Sequence, residues 1–360
     1  MKLNKLKLLN FKSHLDSRWD FNNNIVCFIG DNGSGKTNIL DAIHYLSLTK
    51  SYFNSRDSIN INFDNIFFTI FGEFEINNVI SNVVCSYQKE TLKKVIKNNE
   101  KKYKRFSDHI GLFPVIFISP TDLKLITETS DLRRRFIDSS ISQINSNYLK
   151  NIISYNKFLV QRNYLLKNYL KTGRLDHETI NIYDDSLVKI GTYIYNERKK
   201  YLQKLIPIFQ TKYNHLCDNK ESVDIKYKSQ LDEGDYSHLM LSNINKDKSS
   251  ARTSIGVHKD DLIFNLNDFP INKHGSQGQK KSFITSLKMS QIEILKNEKN
   301  IQPILLLDDL YDKLDDKRVK RLIQLVNISN NNQVFITDTN KERIEKVMNQ
   351  EKQDFIIFEI

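Results

Sequence analysis

The chain holds only three cysteines, Cys27, Cys85 and Cys217, far apart and never in a CxxC spacing. That excludes a disulfide framework and a thiolate zinc site, and it fits a reducing compartment. No stretch approaches the ~18 consecutive apolar residues of a membrane span. The opening MKLNKLKLLNFKSHL lacks the sustained apolar core of a secretory signal. A soluble, cytoplasmic protein is expected, with no membrane partner. Acidic residues are also short: 43 Asp and Glu face 54 Lys and Arg, a net charge of +11. The excess calls for a polyanionic partner, nucleic acid first and an anionic membrane surface second. The chain is rich in Lys, Asn and Ile as well, so compositional drift supplies part of that charge.

The sequence does contain GDNGSGKT, comprising Gly30, Asp31, Asn32, Gly33, Ser34, Gly35, Lys36 and Thr37. It satisfies G-x-x-x-x-G-K-[ST] at each fixed position. An apolar run, residues 25–29, enters the loop as a buried strand. Residues 37–48 leave it as a helix with Ile39, Leu40, Ile43 and Leu46 on one face. The glycines allow a tight turn that brings backbone N–H groups to phosphate oxygens. Lys36 reaches the β/γ-phosphates, and the Thr37 hydroxyl suits Mg²⁺ at a helix N-terminus. ATP with Mg²⁺ is the expected cofactor pair.

Strand patterns follow from Ile59 to Tyr103, ending in a hairpin at Asn98-Asn99. After Asp122 the period changes. Tyr148, Ile152, Tyr155, Leu159, Arg162, Leu166 and Tyr169 recur at steps of four and three, a coiled-coil-like seam with one polar intruder. A second helix is expected over 183–209, so the pair reaches about 40 Å at 1.5 Å per residue. Residues 218–250 read as a weakly patterned return crossing. From Ile255 strands and helices alternate again, with helices expected over 277–295, 316–327 and 341–348. Three segments result: an N-terminal lobe, 1–119; a helical insertion, 120–250; and a C-terminal lobe, 251–360.

ILLLDDL, residues 304–310, is an apolar strand ending in two carboxylates. Asp308 would hold Mg²⁺, and Asp309 stands where a base could orient water. The long interval between Lys36 and Asp308 means that the ATPase fold is split by the insertion. GSQGQ, residues 275–279, opens the helix before this strand. In form and order it resembles the signature loop of ABC/SMC-type ATPase heads.

Six segments in register narrow the resemblance. SPTDLKLI, DLRRRFID, QRNYLLK, GVHKDDLIF, GSQGQKKSF and LLLDDLYDKLD together resemble the RecF family of bacterial DNA replication and repair proteins, over almost the whole chain. The resemblance implies an α/β fold, a split ABC/SMC-type P-loop head with an inserted helical subdomain and no long coiled coil. It implies an ATP-gated homodimer that binds single-stranded, duplex or gapped DNA at gaps and stalled forks, and that helps to load RecA with RecO and RecR. Family roles then fall on Lys36 and Thr37 for nucleotide and metal, and on Asp308 and Asp309 for metal and water. They fall on Ser276, Gln277 and Gly278 for the partner's nucleotide, and on Asp315 in the D-loop.

Departures accompany the match. Asp338 stands near the place of a switch histidine. Asp309 replaces the commoner Glu, one methylene shorter, which implies slow hydrolysis, a timer rather than a motor. After Lys50-Ser51 no arginine occurs until Arg56.

Other residues keep two readings. Arg133-Arg134-Arg135 suits phosphate or a solvated helix start. The basic hairpin with Lys101, Lys102, Lys104 and Arg105 suits DNA or the lysine background. His258 suits catalysis or a structural or interdomain role. Two rival functions stand beside the first. A transport ATPase subunit is disfavoured by SQGQ, by the large insertion and by the basic charge. An ATPase-coupled nuclease is disfavoured by the few dozen residues after Asp309.

Overall fold

A computed structural model describes residues 1–217, 221–309, 324, 332–351 and 353–360. Asp315 and, apart from Gln324, the helix expected over 316–327 lie outside the described residues. The chain divides into two compact units, Met1–Asp122 with Gln277–Ile360, and Leu123–Ser276.

The first unit is built on two sheets. Strands β1 (Lys2–Phe11), β2 (His14–Asp20), β4 (Phe67–Ile76), β5 (Val79–Gln88), β6 (Lys93–Asn98) and β7 (Lys101–Lys102) form an antiparallel sheet in the order β2-β1-β4-β5-β6-β7. Their alternating pattern puts Phe68, Ile70 and Phe74 of β4 on the buried face. Asn99 and Glu100 take positive φ in the hairpin between β6 and β7.

The second sheet is parallel throughout, in the order β14-β3-β13-β12-β8, from β3 (Ile25–Ile29), β8 (Val115–Ile118), β12 (Ile304–Leu307), β13 (Val334–Asp338) and β14 (Phe355–Glu359). Three of these strands, β3, β8 and β12, are apolar throughout, and β13 and β14 are apolar up to their polar last residues, as a sheet covered on both faces requires. Helix α1 (Lys36–Leu48) lies in the core shared by the two sheets. Ile39, Leu40, Ile43 and Leu46 join Leu3, Leu8 and Phe74 from the first sheet, and Val26, Leu306 and Phe335 from the second. α1 is therefore buried nearly all round, and its position is fixed by packing.

The second unit contains α2 (Lys124–Thr127), α3 (Ser130–Ile144), α4 (Ser146–Thr172), α5 (His177–Cys217) and the short α8 (Ile271–His274), with a three-stranded sheet in the order β11-β10-β9, whose edge strand β11 is Phe269–Pro270. Asn145 caps α4 by accepting from the Tyr148 N–H at 3.0 Å. Gly173, at φ 69°, ends α4 in the left-handed conformation. α5 overturns the expected length. It has 41 residues and runs through Pro207, about 60 Å at the standard rise. Its stripe continues past the proline with buried Phe209, Tyr213 and Leu216, so packing outweighs the missing backbone donor. The return crossing is also more ordered than expected. Strand β9 (Val223–Lys228) pairs antiparallel with β10 (Asp261–Leu266), and two helices follow, α6 (Tyr236–Ser242) and α7 (Ile244–Ser250).

Two fully buried arginines organise this unit. Arg162, the polar intruder in the seam, donates to Asp184, to Asp247 at 2.6 Å and to Thr253 at 3.0 Å. Arg198 joins Asp138 at 3.0 Å and Asp260 at 2.8 Å, and donates to the Val257 carbonyl at 2.8 Å. Arg133 of the triple-arginine run pairs with Asp261 in a two-pronged contact at 2.7 and 3.0 Å. Arg134 donates to the Asp260 carbonyl at 2.7 Å. Only Arg135 of the three is exposed, and Asp131 engages it at 2.7 Å, so the run is largely structural. His258 is internal as well. Its Nδ1 meets Tyr155 Oη at 2.9 Å and its Nε2 meets the Thr253 carbonyl at 3.0 Å, while burial lowers its pKa to about 4.

Removing one partner of a buried pair strands the other charge, at a cost of about 3–5 kcal/mol. Arg198→Leu is expected to lose stability on that scale in urea denaturation. Asp260→Asn in the same background should recover part of the loss, because it removes one uncompensated carboxylate. A loss below about 1 kcal/mol would class the network with the weak surface pairs.

Candidate functional site

Register in the parallel sheet decides what meets at its C-terminal edge. Leu307 of β12 pairs with Ile118 of β8 and Ile336 of β13. The next residue on each strand, Asp308, Ser119 and Thr337, therefore stands at one level. β13 also pairs with β3, Asp338 beside Ile29, which sets the glycine loop next to them. Ligands in open α/β sheets sit at this carboxyl edge.

The loop is shaped by its glycines at two points. Gly33 has φ 88° and Gly35 φ 104°, backbone that L side chains resist. A Cβ on Gly35 would also come 2.5 Å from Ser13 Oγ and 2.9 Å from His14 Nε2, so the turn after β1 walls the loop. His14 Nε2 meets the Gly35 carbonyl at 3.1 Å, and burial holds the pKa of this ring below the ordinary histidine value. The N–H groups of Asn38 and Ile39 both go to the Gly35 carbonyl. Those of Lys36 and Thr37 are then the first-turn donors geometry leaves for an anion.

Lys36 is buried, and its ammonium donates to the Gly30 carbonyl at 2.8 Å and the Asp31 carbonyl at 2.7 Å. Thr37 Oγ1 donates to Asp308 Oδ1 at 2.7 Å. Thr337 Oγ1 donates to the same oxygen at 2.9 Å and accepts the Asp309 N–H at 2.9 Å. Ser119 Oγ stands 3.5 Å from Asp308 Oδ2, the limit of a hydrogen bond. Burial pushes the Asp308 carboxyl above the usual carboxylate range; the hydroxyls of Thr37 and Thr337 oppose the shift and the Asp309 charge adds to it.

These residues fit a triphosphate with a hard divalent cation. Ser34 Oγ is buried without a hydrogen-bond partner inside the loop. Among the described residues no group of three His, Cys, Asp or Glu side chains gathers to hold a metal alone. Mg²⁺ does not require one: it takes one or two carboxylates or hydroxyls and completes its shell with phosphate and water. Thr37 and Asp308 are such a pair.

The sequence-predicted residues divide accordingly. Residues 30–37 and Asp308 are brought together. Asp309 follows in a left-handed turn, φ 48°. Asp338 is buried and its carboxylate accepts the Asn340 N–H at 2.8 Å; Thr337, its neighbour, is the residue that touches Asp308. The division between the two units falls between Ser276 and Gln277, which opens helix α9 (Gln277–Lys299). Ser276 and Gln277 are exposed and Gly278 is half-buried. In the basic hairpin Lys101, Lys102, Lys104 and Arg105 are all outward-facing or exposed, whereas Lys94 is occupied by Asp57 at 2.9 Å.

Sequence reading missed a supporting layer. Asp122 accepts the Ser119 N–H at 2.8 Å, the Tyr52 hydroxyl, and the Lys288 ammonium at 3.0 Å. Lys288, a buried residue of α9, also donates to the Phe117 carbonyl at 3.0 Å, and Tyr52 stacks on Phe117 at 4.5 Å. The only sequence signal was the presence of polar residues at apolar-periodic positions, which does not identify a partner.

A family model described as AAA domain, putative AbiEii toxin, Type IV TA system, matches residues 25–337. The DNA replication and repair protein RecF of Flavobacterium johnsoniae is 46% identical over 360 residues, 100% of both chains. RecF of Phocaeicola vulgatus is 39% identical over 361 residues, covering 100% of this chain and 96% of its own. Among solved structures, that of the recombination mediator protein RecF-ATPrS in the RecFOR pathway superposes with a TM-score of 0.89 at 29% identity, covering 100% of this chain and 96% of that one. An Smc head bound to the C-winged helix domain of ScpA gives a TM-score of 0.58 at 17% identity, over 99% of this chain and 93% of that one, a likeness of fold alone. The architecture is that of a split ABC/SMC-type ATPase head.

Because the native carboxyl of Asp308 is raised, its contribution to stability is fully present below the ordinary carboxylate pKa and is lost as pH rises through the raised native value. At neutral pH the ionised group costs stability. Asp308→Asn keeps an oxygen for Thr37 and Thr337 and is expected to raise the nucleotide-free Tm at neutral pH, each kcal/mol being worth about 2–4 °C. The gain should vanish in acid. A Tm lowered at neutral pH would show that the carboxylate's hydrogen bonds outweigh its burial.

Proposed function

The chain belongs to the RecF family, and from that premise we propose that it is an ATP-dependent DNA-binding protein of replication and recombinational repair. The observation that supports this reading is the bond from Thr37 Oγ1 to Asp308 Oδ1, 2.7 Å, at the mouth of a glycine loop on the edge of a parallel sheet. In this reading residues 30–37 bind ATP, and Thr37 and Asp308 hold Mg²⁺. When bound, the metal neutralises phosphate charge and orients the terminal phosphate. Lys36 exchanges two neutral carbonyls for an anion, a stronger charge-assisted bond. Asp309 positions water from its left-handed turn, and its short side chain makes hydrolysis slow. Asp315 serves the D-loop.

The signature residues Ser276, Gln277 and Gly278 act across a homodimer. The P-loop of the same subunit already cradles the β/γ-phosphates, so each signature closes the other subunit's ATP. Two nucleotides then belong to one isologous interface, and mass action ties dimerisation to ATP. DNA at gaps or stalled forks is the ligand of the ATP-bound dimer, with Lys101, Lys102, Lys104 and Arg105 among its phosphate contacts. RecR and RecO are the protein partners, and RecA loading is the outcome. Among the described residues no helix is long and apolar enough to cross a membrane.

Lys36→Ala should abolish ATP binding and, with it, ATP-stimulated association with gapped DNA; wild-type DNA affinity in the presence of ATP would sink the gating claim. Sedimentation should find a monomer without nucleotide, and a dimer for Asp309→Asn with ATP and Mg²⁺. Ser276→Arg added to that variant should leave ATP binding nearly intact and prevent the dimer. If Asp309→Asn stays monomeric at saturating nucleotide, the clamp mechanism is wrong.

A further inference from the structure

Helix α4 turns its seam inward: Tyr148, Tyr155, Arg162 and Leu166 are buried. At 100° per residue the opposite side carries Lys150, Lys157, Lys167 and Lys171, all exposed. Between these lysines stand Ile153 at 53%, Val160 at 68% and Tyr164 at 63% exposure. Together they form one ridge with steps of three and four residues, about 32 Å from Lys150 to Lys171. That is close to one turn of a DNA duplex, roughly 34 Å.

Solvated helix faces usually mix both signs of charge, because alternating pairs stabilise the helix. The 27 residues of α4 contain no Asp or Glu at all. Its neighbour α5 does mix, with Glu178, Asp185 and Glu197 among its lysines. Among the described residues none of the four ridge lysines makes an ion pair. Their like charges repel along one face with nothing to offset them, and three apolar side chains are left in water beside them. Isolated exposed apolar residues need no explanation. Three on one ridge, spaced between free ammonium groups, describe a surface that a polyanion with an apolar component would cover.

We propose that the outer ridge of α4 is a DNA-docking surface, with Lys150, Lys157, Lys167 and Lys171 on backbone phosphates and Tyr164, Val160 and Ile153 against sugars and bases. This rests on the DNA-binding reading above and adds to it a surface separate from the basic hairpin. Phosphate supplies the charge complement, and the ridge holds no side chain able to read a base pair as Arg, Asn or Gln does, so binding there is indifferent to sequence.

The test replaces the four lysines by Gln in the full chain and measures affinity for a gapped duplex, with ATP and Mg²⁺, across a salt series. A second variant, with Lys189, Lys200, Lys226 and Lys228→Gln, carries the same charge change on exposed positions of α5 and β9. Each lost phosphate contact flattens the slope of log K against log[salt] by about 0.9 on duplex DNA, so loss of all four lowers it by about 3.6. The ridge variant should show at least half of that flattening and bind at least about tenfold more weakly near 0.1 M salt, where contacts of this number dominate affinity. The control should stay within about twofold of the wild type. Equal weakening of both variants would mean only net charge matters, and an unchanged ridge variant would mean the face serves something else, an acidic protein included; either result overturns the proposal. Failure of the wild type to bind DNA at all would instead overturn the function from which it starts.

Discussion

The nucleotide edge depends on keeping a carboxylate, Asp308, where water is nearly absent. It is 8% exposed, at the end of a strand whose other residues are Leu and Ile. Two threonine hydroxyls, from α1 and from β13, make that tolerable by donating to the same oxygen. Burial still raises its carboxyl, so the position is compensated only in part. A carboxylate that is uncomfortable alone would gain from a divalent cation beside it, as the proposed role of Asp308 requires. The price is stability in the empty protein, a trade that functional sites commonly show.

The second unit treats buried charge in the opposite way. Arg162 and Arg198 are each surrounded by two aspartates and further oxygen acceptors, and both are closed off from solvent. There the charges fix which helix meets which loop, since Asp138, Asp184, Asp247 and Asp260 come from four different places in the chain. In the first unit Asp122 plays a similar part near the site. It collects Ser119, Tyr52 and Lys288, and so ties α9 to the strand end beside Asp308.

What the sequence made legible follows from how local each feature is. The glycine loop is one contiguous segment between a strand and a helix, and its residues appear where that pattern put them. The parallel strands were legible as apolar runs, and Arg162 stood out as a polar residue in an apolar seam. Thr337, Ser119 and Lys288 were not legible as partners of the site, because their meeting depends on register between strands far apart in the chain. α5 was expected only over 183–209, yet the buried stripe carries the helix from His177 on to Cys217. β9 was missed in a polar stretch, although Val223 and Ile225 already alternate with polar neighbours and face inward.

The division of the chain also sets an order of assembly. The second unit is one continuous segment, Leu123–Ser276, whereas the first is closed by strands drawn from both sides of it. During synthesis β3 and the glycine loop emerge early, with β13 and β14, the neighbours that cover β3 on either side, still more than 300 residues' worth of translation from the start. Domains fold as units while they emerge, and pairings this distant in sequence are slow to close. The helical unit is thus complete while the loop still waits for Asp308 and Thr337. A newborn chain therefore passes through a long interval with an apolar half-sheet exposed and no competent nucleotide site, a window in which chaperones have a reason to hold it.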